Sequence, residues 1–198
     1  MGRYRFAVGS VSRTLLVAIA LLMLNGCFLR ANRTDDGATI ESVTTEPLSG
    51  DRQLVENTTE QLRITIPNSW ETVDLLRPDA DIYVADEDSG LYVMVLADDK
   101  ETLVGDFSLE DNSSQYRRVL ARQLSEPVQD ATSVTSVNGK DAIQYEIRGQ
   151  VDGVSVIYLH TTVRGDENYY QVVGWTRADD FPNRREELQE VIASFRGV

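Results

Sequence analysis

Two residues stand out for chemistry because each is the only one of its kind in the 198-residue chain: Cys27 and His160. A thiol can serve as nucleophile, metal ligand, disulfide half or lipid acceptor, and a second cysteine is needed for a disulfide. A histidine can act as general base when a serine and a carboxylate stand beside it. Serines and aspartates are plentiful, but no Gly-x-Ser-x-Gly elbow occurs. One histidine and one cysteine are too few for a catalytic zinc or a two-histidine iron site. Asp86-x-Asp88-x-Gly90 opens like a calcium loop, yet Gly90 fills the fifth position and Ala97 the twelfth, where a bidentate Glu is required. Asp79, Asp81, Asp86 and Asp88 are left as weak surface carboxylates. No phosphate-binding loop, dinucleotide glycine fingerprint or basic-aromatic nucleic-acid patch is present. No catalytic residue, metal ligand or cofactor is assigned.

The setting of Cys27 is more specific. Ten unbroken apolar residues, Leu15 to Leu24, precede Asn25-Gly26-Cys27, and Arg3, Arg5 and Arg13 precede the run. Positive, apolar and small-residue regions in that order make a secretory signal. As a helix the run covers roughly 15 Å, half of the bilayer hydrocarbon, so it is too short to span. Leu24-Asn25-Gly26-Cys27 resembles the lipobox of bacterial lipoproteins. That resemblance implies cleavage between Gly26 and Cys27, lipidation of Cys27, and anchorage at the periplasmic or thylakoid lumenal face of a membrane. Asn25 departs from the usual small residue of that box.

Sixteen of the 19 basic residues and all 32 acidic ones follow residue 26, giving the processed chain a net charge of −16. Such a balance repels nucleic acid and anionic lipid. Residues 28–59 are rich in Thr, Asp, Glu, Ser and Asn, and read as a flexible tether that cannot offset its own ordering entropy. The expected organisation is therefore a signal peptide at 1–26, a lipidated cysteine and tether at 27–59, and a folded domain at 60–198.

Within that domain, Leu62, Ile64 and Ile66 alternate with polar residues, as in a strand with one buried face. Ile82 to Val84 and Leu91 to Leu96 read as a hairpin, the second strand apolar on both faces and thus covered on both. Ser108 and Asp111 form a loose capping box ahead of a helix carrying Leu109, Tyr116, Val119, Leu120 and Leu124. Asn138-Gly139, Asp152-Gly153 and the turn at 165–168 separate strands that end near Val137, Ile147, Val163 and Thr176, giving an antiparallel meander. Pro182 near a first turn, followed by Leu188, Val191, Ile192 and Phe195, marks a final helix.

Leu62-Arg63-Ile64-Thr65-Ile66-Pro67-x-x-Trp70, the central helix, the strand pair hinged on Val137-Asn138-Gly139 and the helix ending Val191-Ile192-Ala193-Ser194-Phe195 resemble the PsbP-like family, DcrB-like lipoproteins included. The motifs are structural, and Ser69 stands where the family often has glycine. The resemblance implies an α+β fold, an antiparallel sheet flanked by helices on both faces in an α/β/α sandwich. It implies a non-catalytic module that binds or assembles membrane or envelope proteins, at photosystem II if the source is photosynthetic. No residue is carried over as a metal ligand. On its strand His160 shares a face with Tyr158, opposite Ile157, Leu159 and Val163. If sheet order brings Tyr158, His160, Tyr170 and Arg148 onto one uncovered face, that face is the candidate binding surface. The alternative function is an envelope hydrolase or small-ligand carrier using the surroundings of His160.

Overall fold

The computed structural model describes residues 42–73, 80–103 and 107–197. Gly26, Cys27, the signal region and Asp79 lie outside the described residues. The chain is α+β and mostly antiparallel sheet. A three-stranded sheet runs in the order β1 (Val43–Pro47), β2 (Arg52–Asn57), β3 (Leu62–Pro67). The larger sheet is built from β4 (Glu71–Thr72), β5 (Ile82–Asp86), β6 (Leu91–Asp99), β7 (Ser125–Ala131), β8 (Ser136–Val137), β9 (Lys140–Val151), β10 (Val154–Arg164) and β11 (Asn168–Arg177). Its order is β4-β5-β6-β11-β10-β9-β7, with β8 paired to β9. Helix α1 spans Leu109–Arg122, and α2 spans Phe181–Ala193.

The turns explain the meander. Asn138 and Gly139 have φ of 48° and 78°, and Asp152 and Gly153 have 50° and 79°. These left-handed pairs match the twist of the flanking strands. Ser108 accepts from the Asp111 backbone N–H while the Asp111 carboxylate accepts from Ser108, so the capping box forms and α1 starts there.

Successive residues of β6 feed different cores. Leu91, Val93 and Val95 join a cluster with Leu188, Val191 and Ile192 of α2, Trp70, and Val55, Leu62, Ile64 and Ile66 of the small sheet. Tyr92 and Met94 join a second cluster with Ile147, Tyr158, Trp175, Leu120 of α1 and Leu124 just after it. Each such side chain, fully buried, contributes about 1.5–3 kcal/mol relative to exposure. The small sheet is also tied to the segment after α2, where Arg63 and Arg196 exchange backbone hydrogen bonds of 2.9 Å in both directions.

The tether expected at 27–59 is corrected at its C-terminal end. Residues 43–47 and 52–57 are strands, Val55 is buried in the first cluster, and the Asn57 amide donates to the Asp81 carbonyl at 2.8 Å. The polar composition reflects strands with one exposed side: Thr44, Thr45 and Glu46 face solvent, whereas Val55 and Asn57 do not. Residues 27–41 of the expected tether lie outside the described residues.

Candidate functional site

The four residues expected on one open face are divided by the sheet. Pairing of β10 with β11 sets Tyr158 opposite Trp175 and His160 opposite Val173, while Tyr170 stands opposite Val163. Tyr158 and His160 therefore point to the α1 side, and Tyr170 points the other way, into the α2 cluster. There its ring packs on Phe195 at 5.2 Å between centroids. Gly197 lies so close that an added Cβ would sit 2.5 Å from the Tyr170 ring. Arg148 pairs with Ile157, also on the Tyr170 side, and is half exposed. It donates to Glu146 and Asp130, both at 2.8 Å, and Arg185 of α2 adds a second cation at 3.4 Å from Glu146. Tyr158, His160 and Tyr170 are fully buried. The candidate face is overturned: strand register, together with the burial of these three rings, removes it.

What the structure builds instead is a polar seam between α1 and the sheet. His160 Nε2 lies 2.8 Å from Gln171 Oε1, which also accepts from the Thr162 hydroxyl at 2.8 Å. Gln171 Nε2 donates to Asn112 Oδ1 of α1 at 2.6 Å. Because the Gln171 oxygen only accepts, the imidazole carries its proton on Nε2. The Tyr116 ring stacks on His160 with centroids 6.2 Å apart, and the Tyr116 hydroxyl donates to Asp98 at 2.7 Å. The Arg117 guanidinium lies 3.6 Å from the centroid of Tyr145, the residue directly across from His160 on β9. Burial pushes the His160 pKa down to about 4, with the Arg117 charge acting in the same direction and the Gln171 bond opposing it. The ring is neutral at physiological pH.

This arrangement differs from a hydrolytic triad in both partners. An amide, rather than a carboxylate, orients the imidazole, and Nδ1 has no serine or threonine hydroxyl in hydrogen-bond reach. The acidic turn is likewise engaged in structure: Asp81 accepts from the Ala97 N–H at 2.6 Å and Asp86 from the Ser89 N–H at 3.0 Å. Among the described residues no group of three or more His, Cys, Asp or Glu side chains could hold a metal ion. No described helix is long and apolar enough to cross a membrane.

Sequence reasoning missed Asn112, Ser113 and Gln171. A signal was available, since Asn112 and Ser113 lie one turn before Tyr116 on the stripe that α1 must bury. A second missed group gathers around the β10–β11 turn, where the only two lysines meet. Lys100 Nζ donates to the Gly165 and Asp166 carbonyls at 2.6 and 2.9 Å, and Lys140 Nζ is 3.7 Å from the Asp166 carboxylate. Desolvation, first, and the nearby Arg164 lower the Lys100 pKa.

The order and pairing of these strands, with α1 and α2 in two separate clusters, define a PsbP-like fold. The chain is similar to the solution structure of cyanobacterial PsbP (CyanoP) from Synechocystis sp. PCC 6803, with a TM-score of 0.54 and 14% identity over 75% of this chain and 93% of that one. It is also similar to LpqN, involved in cell envelope biogenesis of Mycobacterium tuberculosis, with a TM-score of 0.50 and 13% identity over 77% and 90% of the two chains. PA94 of Pseudomonas aeruginosa, a protein of unknown function, aligns with a TM-score of 0.45 and 12% identity over 79% and 97%. No family model and no curated protein matches the sequence. At these identities the likeness concerns the fold alone.

Proposed function

We propose that this protein is a non-catalytic, extracytoplasmic binding or assembly module, an α/β/α sandwich held to a membrane by lipidated Cys27. The observation that carries the non-catalytic reading is the state of His160: buried, neutral, and oriented by an amide within the α1 seam. The anchor rests on Leu24-Asn25-Gly26-Cys27 after its apolar run and three arginines. The sandwich is supported by the alternation along β6, whose odd and even side chains meet different helices. Similarity of fold to cyanobacterial PsbP and to LpqN fits an envelope or lumenal setting. Its partner is a membrane or envelope protein; in a photosynthetic source the expected complex is photosystem II.

Two measurements test this reading. The Cys27→Ser variant is expected in the soluble fraction after lysis and membrane washing; retention in the membrane fraction would refute the lipid anchor. Crosslinking in native membranes, with mass spectrometry of the products, is expected to give one recurrent membrane or envelope partner. Crosslinks spread over unrelated abundant proteins would argue against an assembly role.

A further inference from the structure

Asn138 and Gly139 make the two-residue turn between β8 and β9, closed by the pairing of Val137 with Lys140. Asn138 is the one asparagine among the described residues that precedes a glycine. Glycine carries no side chain to hinder its own backbone nitrogen, and that nitrogen is the nucleophile of asparagine deamidation. Both turn residues are exposed, and a Cβ added at Gly139 would meet no atom within 4 Å, so solvent reaches the turn.

The Asn138 side chain is engaged elsewhere. Its Nδ2 donates to the Phe195 carbonyl at 2.6 Å and lies 3.3 and 3.4 Å from the Ala193 and Ser194 carbonyl oxygens. Ala193 is the last residue of α2 and Ser194 its C-cap. The amide therefore supplies a donor where a helix end leaves carbonyls without intrahelical partners. Phe195 is buried in the first cluster with Val137, and Arg196 pairs with Arg63 of β3. One side chain fastens the turn to the end of α2.

We propose that Asn138 is a self-modification site, where deamidation irreversibly unlatches the β8–β9 turn from α2. The Gly139 backbone nitrogen attacks Asn138 Cγ, and a new N–C bond forms as the Cγ–Nδ2 bond breaks. The Gly139 proton joins the departing Nδ2 group, which leaves as ammonia, and a cyclic imide remains. Water then opens the ring at either carbonyl, giving aspartate or isoaspartate at position 138. No electrons are exchanged, and water is the only co-reactant.

The latch and the reaction compete for the same group. Ring closure brings Cγ to bonding distance of the Gly139 nitrogen and expels Nδ2, so the bond to Phe195 has to open first. The product cannot refasten. A carboxylate at this position only accepts, and it would face carbonyl oxygens at the negative end of the α2 dipole. Isoaspartate also lengthens the backbone of a turn built for two residues. The inference depends on neither the lipid anchor nor the identity of a partner.

Peptide mapping by mass spectrometry tests it, on folded wild-type protein held at mildly alkaline pH beside a synthetic peptide of residues 134–143. Conversion is expected at Asn138, roughly ten- to a hundredfold slower than in the peptide, because each opening breaks a hydrogen bond and a turn. Asn138→Asp presents the product directly. Amide hydrogen exchange at Ser194, Phe195 and Arg196 is expected to rise roughly tenfold in that variant, with α1 unchanged. A folded-state rate equal to that of the peptide would overturn the latch. No conversion at Asn138 within about a hundred peptide half-lives, or unchanged exchange at Ser194 to Arg196 in Asn138→Asp, would do the same. The wild-type rates decide the question even if that variant does not fold.

Discussion

Gln171 Oε1 receives two hydrogen bonds of equal length, 2.8 Å from His160 Nε2 and 2.8 Å from the Thr162 hydroxyl. One amide oxygen therefore fixes the ring of the only histidine on the neighbouring strand, and its own nitrogen passes the connection to Asn112 on α1 at 2.6 Å. The imidazole is held neutral by the same packing that holds it still.

This has a definite acid dependence. In the unfolded chain His160 titrates near 6.5, whereas in the fold its pKa is pushed down to about 4. Between these values the unfolded state binds a proton that the native state does not, so stability falls as pH drops through this window and levels off below it. The contribution is on the order of 3 kcal/mol. Ring resonances of His160 are expected to stay unshifted from pH 8 to 5. Urea unfolding should lose stability from pH 6.5 to 5 more steeply in wild type than in His160→Gln. A ring that titrates near 6.5 would contradict the buried placement.

Gly149 tests the docking of the segment that follows α1. An added Cβ would lie 2.7 Å from Leu124 Cβ and 3.1 Å from the Ser125 carbonyl oxygen, where α1 hands over to β7. Backbone on one side and a branched side chain rooted near its own backbone on the other leave little room to yield. Gly149→Ala is expected to destabilise the protein by about 1–3 kcal/mol in urea or thermal unfolding. A neutral result would show that the Leu124 turn shifts freely.

Asn138 combines a left-handed backbone with a side-chain bond to the end of α2. Its φ is 48°, and its Nδ2 donates to the Phe195 carbonyl at 2.6 Å. Asn138→Gly should keep the turn and lose the bond, at about 1 kcal/mol. Asn138→Ala should lose both, at about 2 kcal/mol or more. Equal melting points for the two variants would mean that backbone conformation contributes nothing at this position.

The start of the folded unit can be measured by truncation. A chain beginning at Ser42 is expected to keep the cooperative thermal transition of the longer protein. One beginning at Glu60 removes Val55 from the first cluster and the Asn57 bond to Asp81, and should lose that transition or melt at least 10 °C lower. Equal melting of the two chains would reinstate the tether boundary at residue 59.

Much of this was legible before any coordinates. Asn138-Gly139 and Asp152-Gly153 announce their turns because few other residue pairs tolerate positive φ. Leu91 to Leu96 shows its two covered faces because every position is apolar. What stayed hidden lacks such a local mark. β1 and β7 are almost wholly exposed strands, and β7 contains Pro127, so neither shows the alternation that advertises a strand. The place of Tyr170 has no local mark because faces depend on pairing: with Arg164 opposite Tyr169, Tyr170 must meet Val163 and turn away from His160. The polar seam was hidden for a further reason. Asn112 and Gln171 are 59 positions apart, and only the docked helix makes them neighbours.

The division of β6 between two clusters also divides the tryptophans. Trp70 belongs to the cluster with α2 and the small sheet, whereas Trp175 lies in the cluster with α1, its ring stacked with those of Tyr83 at 5.8 Å and Tyr92 at 5.3 Å. The chain has no other tryptophan. Each side of the sheet therefore carries its own fluorophore. Replacing one indole with phenylalanine leaves an optical signal that reports the loosening of the other half alone.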